Sequence, residues 1–169
     1  QKIIFPERAL ENINYQLDKA YKGMYKEISD TITEKLTMAY YKILEYRKEG
    51  LKTEEERLAL GRMIAIGGIF RTILLKRLES SVDAFRKSIS KHMNFLEKLK
   101  IYLKSGRLLT KETFFKYIMS VDEELEEEDL KDVLSEFKIK DYNADDLFKD
   151  IDKDIHLLKN ILEKVNKIK

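Results

Sequence analysis

Apolar residues recur every three or four positions along most of this chain, and no other feature constrains the fold as strongly. The pattern is strictest between residues 75 and 103, where the steps alternate at Leu75, Leu78, Val82, Phe85, Ile89, His92, Leu96, Leu99 and Leu103. This spacing places the side chains on one face of an α-helix, and its alternation is typical of a coiled-coil seam. One proline and six glycines leave few positions that break helices. The pattern predicts an all-α fold.

Three long helices follow from this periodicity, at about 6–48, 53–105 and 144–168. The first has a weak point at Ser-Asp-Thr, 29–31, where a capping residue would split it in two. The second begins at a capping box of Thr53 and Glu56 and ends with Gly106 in the left-handed conformation. We expect Asn143 to cap the third helix.

Two short helices, at about 110–120 and 126–137, complete the predicted structure. No segment alternates as a strand does over a useful length. The expected architecture is an elongated antiparallel bundle of three long helices, with the two short helices near one end. All 169 residues form a single domain in this interpretation, and the start at Gln1 indicates a domain excised from a larger protein.

Several classes of function and location are disfavoured by what the sequence lacks. Without cysteine there are no disulfides or thiolate metal sites, and a cytoplasmic location is favoured. No apolar run approaches the roughly 20 residues of a membrane span, so no membrane partner is expected. The glycines do not form a phosphate-binding loop, which predicts no nucleotide cofactor in these residues. The acidic run at 122–129 lacks the glycine of a calcium loop, and Asp152 with His156 supplies only two metal ligands. We predict no catalytic, cofactor or metal site.

His92 falls on the apolar seam of the second helix. A core histidine bonded to a partner helix is one interpretation of this position. A pH switch is the other, because the charge of histidine changes near neutral pH.

Positive charge is concentrated in the first part of the chain. Residues 1–110 carry 22 Lys and Arg against 14 Asp and Glu, a net +8, whereas residues 111–169 carry 11 against 17, a net −6. Outward-pointing basic residues on the second helix would form a stripe that can follow a phosphate backbone: Arg71, Lys76, Arg77, Lys87 and Lys91. An ordinary solvated surface is the alternative, and the charges alone do not decide between them.

The stretch FRTILLKRLESSVDAFRKSI, Phe70 to Ile89, resembles a segment between the two RecA-like lobes of bacterial and archaeal helicase-like ATPases of the Swi/Snf type. The similar positions are Arg71, Leu74, Leu75, Lys76, Arg77, Leu78, Glu79, Ser80, Ser81, Val82, Ala84 and Phe85. KLTMAYYKI at 35–43 is similar more loosely, and Leu157 to Ile168 is similar to the helix that leads into the second lobe.

The resemblance implies that this chain is the helical insertion of a superfamily-two, DEAD/DEAH-like motor, non-catalytic by itself. The parent protein would bind ATP and magnesium between its lobes, and its expected partners are those lobes and nucleic acid, with duplex DNA foremost. The phosphate loop, the DEAD/DEAH box and the arginine finger match nothing here. The candidate contacts to nucleic acid or a lobe are Arg71, Lys76, Arg77, Glu79, Ser80, Ser81, Arg86, Lys87 and Lys91. A coiled-coil-like scaffold or protein-interaction module without nucleic-acid binding is the alternative function.

Overall fold

A computed structural model describes residues 16–109 and 134–168 of the chain. Its α-helices are α1 (Leu17–Ala20), α2 (Tyr25–Asp30), α3 (Glu54–Ser80), α4 (Val82–Lys104) and α5 (Ala144–Val165). Shorter helical turns cover Thr31–Lys35, Ala39–Tyr46, Glu49–Leu51 and Ile139–Asp141, and two short strands are β1 (Arg107–Leu109) and β2 (Leu134–Glu136). The described chain is mostly helical, which confirms the all-α class.

The single helix predicted over 6–48 is wrong over its described residues, 16–48. The chain forms α1 and α2, a π-helical turn and then a 3₁₀ helix. It leaves the helical conformation at Lys22 and Gly23, with φ of 52° and 80°, and again at Met38, with φ of 56°. The possible split at 29–31 does not occur, because the backbone stays helical there, without a side-chain cap, and changes only from α to π geometry at Thr31. Apolar residues at steps of three and four are compatible with these short helices as well as with one continuous helix.

A buried carboxylate on α5 explains why the chain turns at residues 37–39. Asp154 is only 1% exposed, and it accepts hydrogen bonds from the Thr37 amide at 2.6 Å and the Thr37 hydroxyl at 2.9 Å. It also accepts one from the Ala39 amide at 3.3 Å. Burial raises the pKa of Asp154, and the hydrogen bonds from residues 37–39 oppose that shift. Asp154 therefore satisfies the amides that a continuing helix would have bonded to its own carbonyls.

The helix predicted over 53–105 is two helices, because the chain breaks at Ser81. The Thr53–Glu56 capping box is confirmed, with both of its hydrogen bonds present. Ser81 is extended, with φ −158° and ψ 119°, and its hydroxyl accepts from the Ala84 amide at 3.2 Å. Ser81 thus caps α4 at its N-terminus. Phe70 and His92 lie eleven residues on either side of Ser81, yet their rings are 4.7 Å apart, so α4 folds back along α3.

Helix α5 runs antiparallel to α4. Lys100 near the end of α4 pairs with Asp152 in the first half of α5, whereas Arg86 near the start of α4 bonds to Val165 at the end of α5. Asn143 occupies the N-cap position of α5, but the prediction that its side chain caps the helix is wrong. The backbone amide of Asn143 instead donates a hydrogen bond to the Tyr46 carbonyl at 2.7 Å.

A two-stranded antiparallel sheet follows α4, and the sequence did not indicate it. Gly106 has φ 76°, as predicted for the end of the second helix, and the chain then enters β1, which pairs with β2. The short helix predicted over 126–137 is wrong at 134–136, which form β2. The rest of that helix and the helix predicted at 110–120 lie outside the described residues.

Aromatic side chains from three elements form the centre of the core. Tyr41 stacks on Phe70 with ring centroids 5.9 Å apart, and Tyr40 meets Phe95 edge-on at 5.2 Å. Gly67 permits this arrangement, because a Cβ added there would lie 3.1 Å from the Tyr41 side chain. The 3₁₀ helix is thereby held close against α3.

Helix α3 is long and apolar enough to cross a membrane, judged by length and composition alone. One stretch of 18 residues within it has a mean hydropathy of 1.7, so the expectation that no apolar run approaches this length is wrong. Mostly buried core helices of water-soluble proteins satisfy the same criterion, but only 28% of this stretch is buried. The buried residues of α3 include Met63, Phe70 and Leu74.

Candidate functional site

The stretch that carries the resemblance forms a sharp corner between α3 and α4, defined here as residues 76–87. A single residue outside both helices, Ser81, makes the connection. Its amide donates to the Arg77 carbonyl at 3.0 Å, and the Ser80 hydroxyl donates to the same carbonyl at 3.4 Å. The two serines therefore have a local structural role: they close α3 and begin α4.

The three arginines predicted as contacts bond within the fold. Arg71 donates to the Leu36 carbonyl at 2.6 Å, and Arg77 donates to the Ser88 hydroxyl. Arg86 donates to two carbonyls at the end of α5, those of Val165 at 3.4 Å and Ile168 at 3.3 Å. A cation at this position complements the negative end of the helix dipole. Arg71 and Arg86 thus join the α3–α4 hairpin to the segments beside it, whereas Arg77 joins its two helices to each other.

The lysines of the corner have a different environment from the arginines. Lys76 and Lys87 are exposed, and within the described residues their ammonium groups make no hydrogen bond or ion pair. Lys91 is half-buried one turn beyond Lys87. Glu79 is exposed and accepts a hydrogen bond from the Tyr25 hydroxyl at 2.9 Å. Lys76 and Lys87 are thus the corner cations most accessible to a partner.

The first and last described segments of the chain meet beside the corner. Lys22 donates to the Lys167 carbonyl at 3.1 Å, and Glu27 forms an ion pair with Lys164. This ion pair lowers the pKa of Glu27, through its hydrogen bond to Lys164 first and through the charge of the lysine second. We call this place, where residues 21–27, the corner and residues 164–168 come together, the junction.

Two tyrosines of the junction were missed by the sequence reasoning. The Tyr21 hydroxyl donates to the Leu78 carbonyl at the end of α3, and Tyr25 reaches Glu79. In the continuous helix that the sequence predicted, their spacing of four residues would place them on one side, but the chain leaves the helical conformation between them at Lys22 and Gly23. Their partners lie more than 50 residues away along the chain, so spacing alone did not identify them.

The polar side chains considered as metal ligands have other partners. Asp152 forms an ion pair with Lys100, and His156 Nε2 lies 3.2 Å from the Asn160 amide nitrogen. In the two described ranges no three His, Asp or Glu side chains are grouped so as to hold a metal ion.

A pocket of about 240 Å³ lies between the 3₁₀ helix and the first turns of α3. Its lining is largely apolar and includes Ile43, Leu44, Ala59, Met63 and Leu108, with Glu55 as one of its acidic members.

Comparison of the chain with protein-family models, with curated proteins and with solved structures finds no match.

Proposed function

We propose that this chain is the helical insertion domain of a Swi/Snf-type ATPase, non-catalytic by itself, which couples movement of the motor lobes to contact with duplex nucleic acid. The observation that carries the proposal is the junction. A domain inserted between two lobes has to return its chain close to the point of entry, and domain insertion is tolerated where the ends of a fold are adjacent. The hydrogen bond of 3.1 Å between Lys22 and Lys167 brings the first and last described segments together and supports such an arrangement.

The contacts of the corner support a coupling role. Glu79 is bonded to Tyr25 near the incoming segment, and Arg86 is bonded to Ile168 in the outgoing one. A displacement of either segment therefore acts on α3 and α4 through direct hydrogen bonds. In this proposal α3, α4 and α5 serve as an elongated antiparallel bundle that moves as a rigid element between the lobes. ATP and magnesium belong to the lobes of the parent protein.

Nucleic-acid contact is assigned to the exposed lysines of the corner. Lys76 lies near the end of α3 and Lys87 in the second turn of α4, so both are close to the connection at Ser81. Lysine ammonium groups bind phosphates as point charges without reading base sequence. Binding through them would be weak, independent of sequence and sensitive to salt.

A charge-reversal experiment tests this assignment. The double variant Lys76→Glu/Lys87→Glu and the unmodified chain are titrated with fluorescent duplex DNA at about 50 and about 200 mM salt. The slope of log affinity against log salt should become shallower by about 2, because each lysine–phosphate contact contributes about 0.9. The matched control is Lys149→Glu/Lys159→Glu on α5, which changes the net charge equally at two exposed positions.

Two results would contradict the assignment. If the control variant loses as much affinity as the corner variant, and its affinity becomes as weakly dependent on salt, binding is a general effect of net charge. If the unmodified chain binds no duplex at about 50 mM salt, the corner is not a nucleic-acid contact.

A protein-interaction module without nucleic-acid binding is the second candidate function. The observation in its favour is the exposed apolar side of α3, where Leu58 is 62% exposed and Ile69 is 59% exposed. Duplex titration separates the two candidates, because an interaction module of this kind would bind no DNA at either salt concentration.

A further inference from the structure

One side of α3 is apolar and exposed over about three turns. We call it the outer face of α3 and define it as Leu58, Gly61, Ala65, Gly68 and Ile69, which recur at steps of three, four, three and one. They lie on the side of the helix opposite the buried Met63, Phe70 and Leu74. Charged side chains are sparse on this side between residues 57 and 76, with Arg62 at its edge.

Among the residues that the structure describes, nothing within one copy of the chain accounts for two glycines of the outer face. A Cβ added at Gly61 or at Gly68 would meet nothing within 4 Å, whereas one added at Gly67 would press on Tyr41. Each glycine inside a helix costs about 1 kcal/mol relative to alanine. Small residues of this kind on a helix surface allow the backbone of another helix to approach closely. The glycines are therefore accounted for by an external partner of the helix.

Charges at the two ends of the outer face point to a second copy as that partner. The first turn of α3 is acidic, with Glu54 and Glu55 exposed, and Lys76 is exposed near its other end. Two copies side by side in antiparallel orientation would place the acidic end of each against the basic end of the other. A parallel arrangement would instead place Glu54 against Glu54, which is unfavourable.

The pattern of large and small residues selects one antiparallel register. With Ala65 of both copies on the two-fold axis, residues whose numbers add to 130 lie opposite each other. Glu54 then faces Lys76, Leu58 faces Thr72, and Ile69 fills the space above Gly61. Each large apolar side chain meets a smaller residue, as close interdigitation requires.

We propose that the outer face of α3 binds the same face of a second copy of this chain, antiparallel, with Ala65 at the two-fold axis. The interface is isologous, so it closes as a dimer. The interface itself needs no nucleic acid, although Lys76 is also one of the two lysines to which nucleic-acid contact is assigned.

The absence of native cysteine allows a direct test by single-cysteine cross-linking. Ala65→Cys should form a disulfide-linked dimer under mild oxidation, because the two Cα atoms would lie within the 7 Å that a disulfide can bridge. Leu58→Cys should not cross-link to itself, because the two copies of this residue would be about 21 Å apart along the helix axis. A mixture of the Leu58→Cys and Thr72→Cys chains should cross-link with each other.

Sedimentation of the cysteine-free chain provides the second arm of the test. Ile69→Glu should abolish dimerisation, whereas Ile101→Glu should not affect it, although Ile101 on α4 is 66% exposed. Lys76→Glu should weaken the dimer about fivefold, because two exposed ion pairs are lost per dimer. Adding Glu54→Lys to Lys76→Glu should restore the affinity by reversing both charges. Circular dichroism verifies that each variant is folded.

Each opposing outcome overturns the inference in a distinct way. A chain that stays monomeric at high concentration has no such interface. Cross-linking of Leu58→Cys to itself would establish a parallel arrangement. Binding of the monomer to anionic lipid vesicles, abolished by Ile69→Glu, would assign the outer face to a membrane surface instead.

Discussion

Lowering the pH from 7 to 4 should destabilise this fold through one residue, His92. The side chain is 2% exposed, and its ring lies 4.7 Å from that of Phe70 and 6.2 Å from that of Phe95, measured between centroids. Within the described residues its Nδ1 atom has no hydrogen-bond partner. Burial lowers the pKa of His92 from 6.5 to about 4, because the apolar surroundings disfavour the imidazolium ion. His92 is thus buried in the core as expected, but no hydrogen bond from its ring to a partner helix is found within the described residues.

The size of the effect follows from the difference between the two pKa values of His92. Above pH 6.5 the imidazole is neutral in both the folded and the unfolded chain, so it contributes no pH dependence. Between pH 6.5 and about 4 the unfolded chain takes up a proton that the folded chain does not, and the free energy of unfolding decreases as the pH falls. The total loss is about 3 kcal/mol, at 1.36 kcal/mol per pKa unit. Below about pH 4 the folded imidazole is also protonated, and the dependence ends.

Two measurements test this prediction. Proton NMR of the imidazole groups resolves two histidines, and the His92 signal should titrate near pH 4. Urea unfolding at intervals from pH 7 to pH 4 should show the loss of stability in the unmodified chain and in His156→Gln, but not in His92→Phe. The raised pKa of Asp154 gives the opposite effect, because it makes the free energy of unfolding increase as the pH falls towards 3.8. Asp154 is present in all three chains, so its contribution cancels in the comparison. A His92 signal that titrates near pH 6.5 would refute the reasoning.

Three further predictions concern the backbone turns and close contacts of the fold, all measured as free energies of urea unfolding at dilute chain concentration. Asp154→Ala should cost about 3 to 5 kcal/mol, because three buried donors lose their acceptor, whereas Asp152→Ala, at an exposed ion pair, should cost less than about 1 kcal/mol. Equal losses in the two variants would contradict the role given to the buried carboxylate. Gly67→Ala should destabilise by about 1 to 2 kcal/mol through contact with the neighbouring tyrosine ring, whereas Gly68→Ala should stabilise by about 0.5 to 1 kcal/mol. Ser81→Ala should cost about 1 kcal/mol by removing the N-cap of α4, and no change would show that the corner is held by other contacts.

Periodicity predicted the helical class and much of the core, because apolar spacing is a local property. Phe85, Ile89, Leu96 and Leu99 of the predicted seam are buried on α4. The same spacing could not reveal the break at Ser81, since the residues on either side face the core whether the helix continues or folds back. The cap at Ser81 also lacks the glutamate three residues later that identified Thr53.

Contacts between distant parts of the chain account for the remaining differences. Asp154 occupies an apolar-face position of α5, between Ile151 and Leu158, so the sequence did contain a polar residue on the buried side. Its partners at 37–39 are about 115 residues away and cannot be identified from local spacing. Arg71 and Arg77 were expected to point outward for the same reason, since their acceptors, the Leu36 carbonyl and the Ser88 hydroxyl, belong to other elements of the fold. Contact of Lys76 and Lys87 with nucleic acid stays a prediction.

The arrangement of the junction determines how the domain responds to a pulling force on its two ends. Its two contacts between the first and last segments, Lys22 with Lys167 and Glu27 with Lys164, follow each other along the chain in opposite directions. Tension applied to the ends would load them one after the other, as in unzipping, rather than both at once, as in shear. Exposed pairs of this kind are screened by water and salt, so they resist weakly. A modest load would therefore open the junction while the buried surface between α4 and α5 stays intact.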